Sequence, residues 1–409
     1  MAKYIPLLLL GLVIRLIIAS ATFHPDVKIL DHVSAIVLKE HNLNLYDFGK
    51  QIQVNDPLKM VYGFEVPDDL PLQYWIQIPI NLLVRPFVNS DFEGSFLVDS
   101  SRTLGSMALL THLLLIKLPL LVFDIGTGLA LLYLVSPNKR KLALTIWLFN
   151  PINLWATSAI GQVDVIPTCF LVLSLVFVKQ GKNALGVFAL GVGAAIKSFP
   201  LLLLPFILIL ERDWNQRIKL AVIGLLPYLL TVAPYLGSAG FKTNALFAPQ
   251  LGKMLYAQIL LSGGESLMLS VVGLIVLYGF YQQKSRNYHD LLNYSATSLL
   301  LILTLTHFHP QWLLWLVPLY IVLYIEQRLT GLNWMIAGLL ASWIGMICLF
   351  DSSLQVRLLS PIIPSLNTAV GLAEVLSSDK LFFYRNLVAS VFAGCSIPII
   401  IKLLKNEQI

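Results

Sequence analysis

Charged side chains are scarce in this sequence: only 12% of its 409 residues are Asp, Glu, Lys or Arg, whereas 57% are hydrophobic. A soluble globular protein carries roughly 25% charged residues. The shortage excludes a disordered chain, a nucleic-acid-binding arm and an ordinary cytosolic enzyme, so we expect no nucleic-acid partner. The composition is that of a multi-pass membrane protein surrounded by a lipid bilayer.

Cysteine is also rare, and its three copies, Cys169, Cys348 and Cys395, all lie inside apolar runs. Their spacing matches neither a metal site nor a disulfide framework, so redox chemistry is not expected. The sequence has no glycine-rich phosphate loop, no nucleophile elbow and no zinc-protease motif. We therefore expect no nucleotide-dependent chemistry on the cytoplasmic side.

Long apolar runs make up most of the chain, and a run of about 20 residues can cross a bilayer as a helix. Two shorter runs, 183–196 and 201–211, meet at the polar break Lys197-Ser198-Phe199-Pro200, which predicts a pair of half-depth helices. With that pair, the sequence predicts an all-α membrane bundle of about twelve segments in one domain, residues 1–409. No small-residue cleavage site follows the first run, so we expect it to be retained. The ten longer runs are 4–22, 108–135, 142–160, 164–178, 217–235, 265–283, 290–306, 311–326, 331–350 and 384–404.

The basic surplus of the chain is concentrated on one side of the predicted bundle. Segments on the side of Met1 carry 14 basic and five acidic residues, whereas the opposite side carries 11 basic and 15 acidic residues. The positive-inside rule therefore predicts cytoplasmic termini. The membrane would be the plasma membrane of a bacterium or the endoplasmic reticulum of a eukaryote.

The largest polar segment is the first outer loop, residues 23–107, which holds 11 of the 22 acidic residues. Within it, 28–42 has helical apolar spacing and 70–88 is apolar and aromatic, which predicts helices lying along the membrane surface. We expect the chemistry on this outer side.

The first candidate site lies in the segment HPDVKILD, residues 24–31. Asp26 follows the expected membrane boundary closely, at the depth where a lipid headgroup would meet it. A partly buried carboxylate there can act as a general base for an acceptor hydroxyl. A solvated loop acid or a helix N-cap explains the same residue equally well.

Two further polar groups lie at outer helix ends. The turn Gly161-Gln162-Val163-Asp164 joins two spans, and an ordinary polar turn is its simpler explanation. Lys197 lies between the two short helices, where it can meet a lipid phosphate as a point charge. A snorkelling lysine is the alternative, but snorkelling does not explain why both flanking helices are short, so we favour a functional role.

The segment THFHPQW, residues 306–312, is the last candidate. His307 and His309 cannot share one helix face, and no third ligand cluster accompanies them, so a zinc site is not expected. One histidine can donate a hydrogen bond to phosphate or sugar, while Trp312 or Trp315 offers an apolar surface to a sugar ring. A histidine satisfied at an interfacial turn is an equal alternative.

The first two predicted spans carry charged residues away from their ends. Arg15 is in the middle of the first span, and Lys117 and Asp124 are on one face of the second. Because the depths of Arg15 and Asp124 overlap, we expect an ion pair with a structural role that joins the two helices.

Taken in order, these outer motifs resemble the GT-C superfamily of integral-membrane glycosyltransferases, which use polyprenyl-phosphate sugars as donors. HPDVKILD, GQVD, IKSFP and PQWLLW stand at the matching helix ends, and the similarity covers most of residues 1–326. The sequence resembles in particular the polyprenol-phosphate-mannose-dependent mannosyltransferases, namely the catalytic subunit of glycosylphosphatidylinositol mannosyltransferase I and its bacterial relatives. The resemblance implies inverting hexosyl transfer, with mannose favoured, to a lipid or glycan acceptor at the extracytoplasmic leaflet.

The resemblance also implies roles for individual residues. Asp26 would be the catalytic base, and the donor phosphate would be bound by Lys197, His307, His309 and Lys28. Substrate would be bound by Asp31, Gln162, Asp164, Gln311 and Trp312.

The eukaryotic relatives carry Asp-x-Asp in the first loop, whereas here Lys28 stands at the second acid. Asp31, one helical turn further on, is the nearest replacement. We therefore expect no cofactor, because no Asp-x-Asp pair supports a divalent metal.

Other functions share this composition. A lipid-linked-saccharide flippase would be expected to show pseudo-repeats and charges through the bilayer depth, whereas the candidate groups here gather at one face. A surface-polysaccharide ligase or polymerase also uses lipid-linked sugars outside the membrane, but usually concentrates its essential groups in a large later loop. A non-enzymatic scaffold would use Asp26 and Lys197 only to stabilise loops.

Overall fold

The computed structural model describes residues 2–51, 67–87, 89–248, 252–284, 287–307 and 309–405. Across these ranges the chain is predominantly helical, and its strands form one antiparallel hairpin, β1 (Gln258–Leu260) with β2 (Ser266–Met268). The α-helices of seven or more residues are α1 (Ile5–Ala21), α2 (Lys28–Lys39), α3 (Leu45–Gln51), α4 (Pro71–Val84), α5 (Ser90–Val98), α6 (Met107–Leu134), α7 (Arg140–Leu148), α8 (Val165–Lys179), α9 (Asn183–Ala194), α10 (Leu204–Leu210), α11 (Trp214–Val232), α12 (Leu269–Gln282), α13 (Tyr288–Leu305), α14 (Val317–Ile325), α15 (Asn333–Leu349) and α16 (Ser378–Lys405).

Three of the described helices are long and apolar enough to cross a membrane, namely α6, α11 with its extension to Tyr235, and α16. A fourth span results if α1 and the helix after it count as one segment bent by 96°. The prediction of about twelve segments is not confirmed. One reason is that several apolar runs are interrupted: 142–160 breaks at Pro151, and 311–326 divides into a 3-10 helix (Pro310–Trp315) and α14.

The predicted break around Lys197 is confirmed. Helix α9 ends at Ala194, a 3-10 helix (Phe199–Leu203) follows, and α10 continues from it. The first short helix lies very close to α11, because a Cβ atom on Gly191 would stand 2.0 Å from the carbonyl oxygen of Gly224. Only glycine fits there, and this close packing fixes the position of the break.

The expected ion pair between Arg15 and Asp124 is confirmed, with Arg15 Nε 2.5 Å from Asp124 Oδ2 and both side chains fully buried. Arg15 also donates to the Leu148 carbonyl at 2.8 Å, and Asn153 Nδ2 donates to Asp124 Oδ1 at 2.8 Å. The network joins α1, α6, the end of α7 and the segment after Pro151. It fixes the helices from which the outer polar turns extend.

The helices predicted within the first outer loop are present as α2 and α4, although their contact with a membrane surface stays a prediction. They pack into an apolar cluster with the N-terminal end of α6, through Leu109 and Leu113, and with Val232 of α11. The loop therefore folds over the ends of two long helices. Residues 52–66 of that loop lie outside the described ranges.

We expect Asp124→Ala to destabilise the protein strongly, because Arg15 would remain buried without its counter-ion. Removing one partner of a buried ion pair costs about 3–5 kcal/mol, whereas replacing both partners with apolar residues is often far less harmful. The thermal unfolding midpoint in detergent should fall for Asp124→Ala and fall less for Arg15→Met combined with Asp124→Leu. A single variant as stable as the wild type would contradict this role.

Candidate functional site

A cavity of about 620 Å³ lies beneath the first outer loop, where the chain leaves α1 and where α8 begins and α9 ends. Its wall combines charged, amide and aromatic side chains. Those that matter for the chemistry are Asp26, Asp68, Asp69, Gln73, Gln162, Lys197, Lys253, His309, Gln311, Trp312 and Trp315.

Asp26 stands at the rim of this cavity, in the short 3-10 helix Pro25–Val27 between α1 and α2. Its Oδ2 accepts a hydrogen bond of 2.6 Å from Gln162 Nε2, and its backbone N–H donates to His24 Nδ1 at 3.3 Å. The Asp26 side chain is 56% exposed, so its carboxylate is both oriented and accessible. Two residues from separate predicted motifs thus meet at one point.

Lys117 determines where these two residues stand. Its ammonium is fully buried and donates to the carbonyls of Thr22 (2.6 Å) and Ala19 (3.1 Å) at the end of α1. It also donates to the carbonyls of Ala159 (2.9 Å) and Ser158 (3.2 Å), at the end of the π-helical turn Leu154–Ala159. Lys117 therefore ties together the two helix ends that immediately precede Asp26 and Gln162.

Lys197 reaches the cavity from the break between α9 and α10, with 20% of its side chain exposed. Its Nζ lies 2.8 Å from Oδ2 of Asp164, which is fully buried, and Trp315 Nε1 donates to the other carboxylate oxygen at 2.6 Å. Asp164 is thus held behind the cavity wall. It fixes the position of the ammonium that the cavity exposes.

An aromatic stack forms one side of the cavity. The Trp315 ring is nearly parallel to the rings of Phe199 and Trp312, with ring centroids 4.1 and 5.1 Å apart. The His309 ring packs against Trp312, with their centroids 5.5 Å apart. Flat apolar rings of this kind suit the apolar face of a sugar or a prenyl chain. Gln311 lines the cavity beside them, and its buried Oε1 has no partner among the described residues.

Two adjacent acids, Asp68 and Asp69, form the side of the cavity beneath α4. Gln73 Nε2 donates to Asp69 Oδ2 at 2.8 Å, while the Tyr46 hydroxyl donates to the Asp69 carbonyl at 2.8 Å. Burial and then the charge of Asp69 raise the pKa of Asp68 to about 7, although part of Asp68 faces the open cavity. Burial also raises the pKa of Asp69.

His309 contacts a second cation, because Lys253 Nζ lies 3.1 Å from its Nε2. Burial, followed by the charges of Lys253 and Lys197, lowers the pKa of His309 to about 4. The imidazole is therefore neutral at physiological pH. With Nε2 accepting from Lys253, its Nδ1 carries the proton and can donate a hydrogen bond.

The remaining predicted residues lie outside the cavity wall. Asp31 is buried and pairs with His112 of α6, Oδ2 to Nε2, at 2.5 Å. Lys28 is the first residue of α2. The His307 ring is nearly parallel to the Phe350 ring, and their centroids are 6.2 Å apart. The structure thus brings together Asp26, Gln162, Lys197, His309, Gln311 and Trp312, with Asp164 behind them; the roles assigned to all these residues stay predictions.

Sequence reasoning missed Asp68, Asp69 and Lys253. Asp68 and Asp69 could have been found, because two adjacent acids directly before the apolar segment that begins at Leu70 are a recognisable pattern. Lys253 carried no such signal, because its position depends on how a later outer loop folds back. Within the described ranges, no group of three or more His, Cys, Asp or Glu side chains is arranged to hold a metal ion.

The model of glycosyltransferase family 87 matches residues 103–350, which is more than half of the chain. The matched segment includes Asp164, Lys197 and His309 and begins after Asp26 and the Asp68–Asp69 pair. No curated protein and no solved structure matches the chain.

The raised pKa of Asp68 predicts a pH-dependent stability. An unfolded aspartate titrates near pH 4, so between about pH 4 and 7 the folded carboxyl keeps a proton that the unfolded chain has lost. This contribution favours the fold below pH 4 and is lost as pH rises through 7. The difference in unfolding midpoint, wild type minus Asp68→Asn, should fall between pH 4 and 8, and a constant difference would contradict the assignment.

Proposed function

The chain belongs to glycosyltransferase family 87, and we propose that it is an inverting enzyme that transfers a hexose from a polyprenyl-phosphate sugar to a lipid-linked or glycan acceptor. The observation that carries this proposal is the single cavity that combines the Asp26 carboxylate with the Lys197 ammonium. Such a transfer needs a base for the acceptor and positive charge for the phosphate. The charge asymmetry of the sequence predicts that this cavity faces the extracytoplasmic leaflet.

At the acceptor end, Asp26 takes the proton from the attacking hydroxyl. The acceptor oxygen forms a bond to the anomeric carbon while the bond from that carbon to the phosphate oxygen breaks, and the electron pair leaves with the polyprenyl phosphate. Gln162 supports this step because its amide, 2.6 Å from Asp26 Oδ2, orients the carboxylate. Attack from the face opposite the leaving phosphate inverts the anomeric centre.

At the donor end, the leaving phosphate is already an anion and needs charge stabilisation rather than protonation. Lys197 supplies a fixed positive charge, and Lys253 supplies a second one beside His309. A neutral His309 suffices here, because its Nδ1–H can donate to a phosphate oxygen without giving up its proton. Trp312 offers the sugar a flat apolar surface.

Mannose is the hexose that we propose, on the resemblance of the outer motifs to polyprenol-phosphate-mannose-dependent enzymes. Family membership favours transfer over lipid flipping. A surface-polysaccharide ligase differs from our proposal mainly in its acceptor.

Asp68 is a second candidate for the base. A carboxyl whose pKa is about 7 is better matched to proton transfer near neutral pH than an ordinary aspartate. We favour Asp26 because its carboxylate is oriented by the Gln162 amide. Asp68 and Asp69 are then left to accept hydrogen bonds from sugar hydroxyls.

We expect Asp26→Asn to lower kcat about 100-fold or more, since a positioned base contributes on that order. Transfer from radiolabelled polyprenyl-phosphate mannose to extracted membrane lipids would be measured with the full chain in detergent. Asp91→Asn is the matched control, because Asp91 is an exposed carboxylate of the same loop. Full activity of Asp26→Asn together with loss in Asp68→Asn would move the base to Asp68.

Lys197→Met should lower kcat/KM for the donor about tenfold or more, because a charged hydrogen bond to the phosphate is lost. Lys219→Met is the control, since Lys219 is an exposed lysine outside the cavity wall. Donor analogues with a shorter prenyl chain and the same phosphate should show the same loss. An unchanged kcat/KM would remove Lys197 from the donor site.

A further inference from the structure

A second cavity, of about 440 Å³, lies where α6 and α8 end and α13 begins. It is at the opposite end of the bundle from the candidate active site. Helix α8 starts next to Asp164 and reaches this cavity with Lys179, 15 residues later, which corresponds to about 22 Å. Helix α13 lines the first cavity with Ile302 and the second with Tyr288.

The wall of this second cavity carries more positive than negative charge. Arg140, Lys179 and Arg328 line it, and the only carboxylate among its described lining residues is Glu326. Glu326 is already engaged, since it accepts from Lys139 Nζ at 3.0 Å and from the backbone and hydroxyl of Ser136 at 2.8 and 3.0 Å. Arg140 and Arg328 therefore line the cavity without an uncommitted carboxylate, and Lys179 adds a third cation, whose Nζ also donates to the carbonyls of Leu134 at 2.9 Å and Tyr133 at 3.1 Å.

Several polar atoms of the same wall are buried and have no hydrogen-bond partner in the part of the chain that the structure describes. They are Arg140 Nε, the Tyr288 hydroxyl and Oδ1 of Asn293, whose side chain belongs to a residue only 3% exposed. Leaving a buried polar group unpaired costs about 1–3 kcal/mol, so native proteins keep few of them. Fifteen such atoms occur among the described residues, and these three line one cavity beside its cations, where a bound polar ligand would pair with them.

The positive-inside rule explains why cations occur at this end of the bundle but not why they enclose a cavity. Arg212 and Lys219, at the same end, are exposed to solvent. Arg140 differs from them, because part of its guanidinium is buried in the wall beside Asn293 and Tyr288.

We propose that the second cavity binds a phosphate group, as a monoester or diester, presented either by an anionic lipid headgroup or by a free phosphate. Guanidinium groups match phosphate oxygens in geometry and charge. The Tyr288 hydroxyl donates a further hydrogen bond, and Asn293 accepts one from a phosphate or headgroup hydroxyl. The proposal does not rest on the transfer reaction, since it concerns the other end of the molecule.

The test uses the full chain and a double variant, Arg140→Gln with Arg328→Gln. Arg212→Gln with Lys219→Gln is the matched control, because it removes the same charge from the same end of the bundle. One arm measures by native mass spectrometry how much phosphatidylglycerol is retained from mixed phosphatidylcholine–phosphatidylglycerol nanodiscs. The other arm measures the shift in unfolding midpoint with inorganic phosphate in nanodiscs of phosphatidylcholine alone.

We expect the wild type and the control to bind at least one of these probes, and the double variant to bind it about tenfold more weakly or worse. Retention of phosphatidylglycerol alone identifies a lipid headgroup, and a phosphate-induced shift identifies a free anion. Equal binding by the double variant and the control, or no binding of either probe by the wild type, would overturn the proposal. If the double variant does not fold, Tyr288→Phe and Asn293→Leu provide the same comparison without a change of charge.

Discussion

The candidate active site depends on one buried ammonium group. Lys117 has no carboxylate partner among the described residues and is held by carbonyl oxygens at the ends of two helical segments. The carbonyl end of a helix carries partial negative charge and lacks internal donors, so one lysine satisfies both ends and fixes the distance between them. The chain immediately beyond those ends carries Asp26 and Gln162, whose hydrogen bond sets the geometry of the proposed acceptor side.

Other buried charged groups of the bundle also have several polar partners each. Asp164 is fully buried, and its two oxygens accept hydrogen bonds from the Lys197 ammonium and the Trp315 indole, so one carboxylate positions two side chains of the cavity wall. Arg15 and Asp124 are likewise satisfied by each other and by neighbouring backbone and amide groups. Charges cost so much to bury in an apolar bundle that Asp164, Arg15 and Asp124 all need the partners that they have. In the second cavity, by contrast, the buried Nε of the Arg140 guanidinium has no partner among the described residues.

The apolar runs and the charge pattern predicted the helical architecture, the break at Lys197 and the Arg15–Asp124 pair, because these follow from local composition and from the energetics of burial. They did not predict where the apolar runs break into shorter helices, because the breaks depend on prolines such as Pro151 and on packing. Asp31 has the right chemistry for the site, yet its place is set by a partner 81 residues away, His112. Asp68, Asp69 and Lys253 were missed because loop closure brings them to the cavity, and no periodicity encodes loop closure.

The close approach at Gly191 has a consequence for the surrounding bilayer. Helix α9 has only 12 residues, or about 18 Å of rise, and its Leu185 and Phe188 are exposed on the outer surface of the bundle. A helix of that length is shorter than a hydrocarbon core of about 30 Å, and local thinning of the bilayer is one way in which a membrane accommodates such a mismatch. A lipid phosphate in such a thinned region would lie nearer the bilayer midplane than elsewhere, and Lys197 follows the end of α9 by three residues. For the polyprenyl-phosphate donor that we propose, such thinning would bring the phosphate to the site while the prenyl chain stays in the membrane.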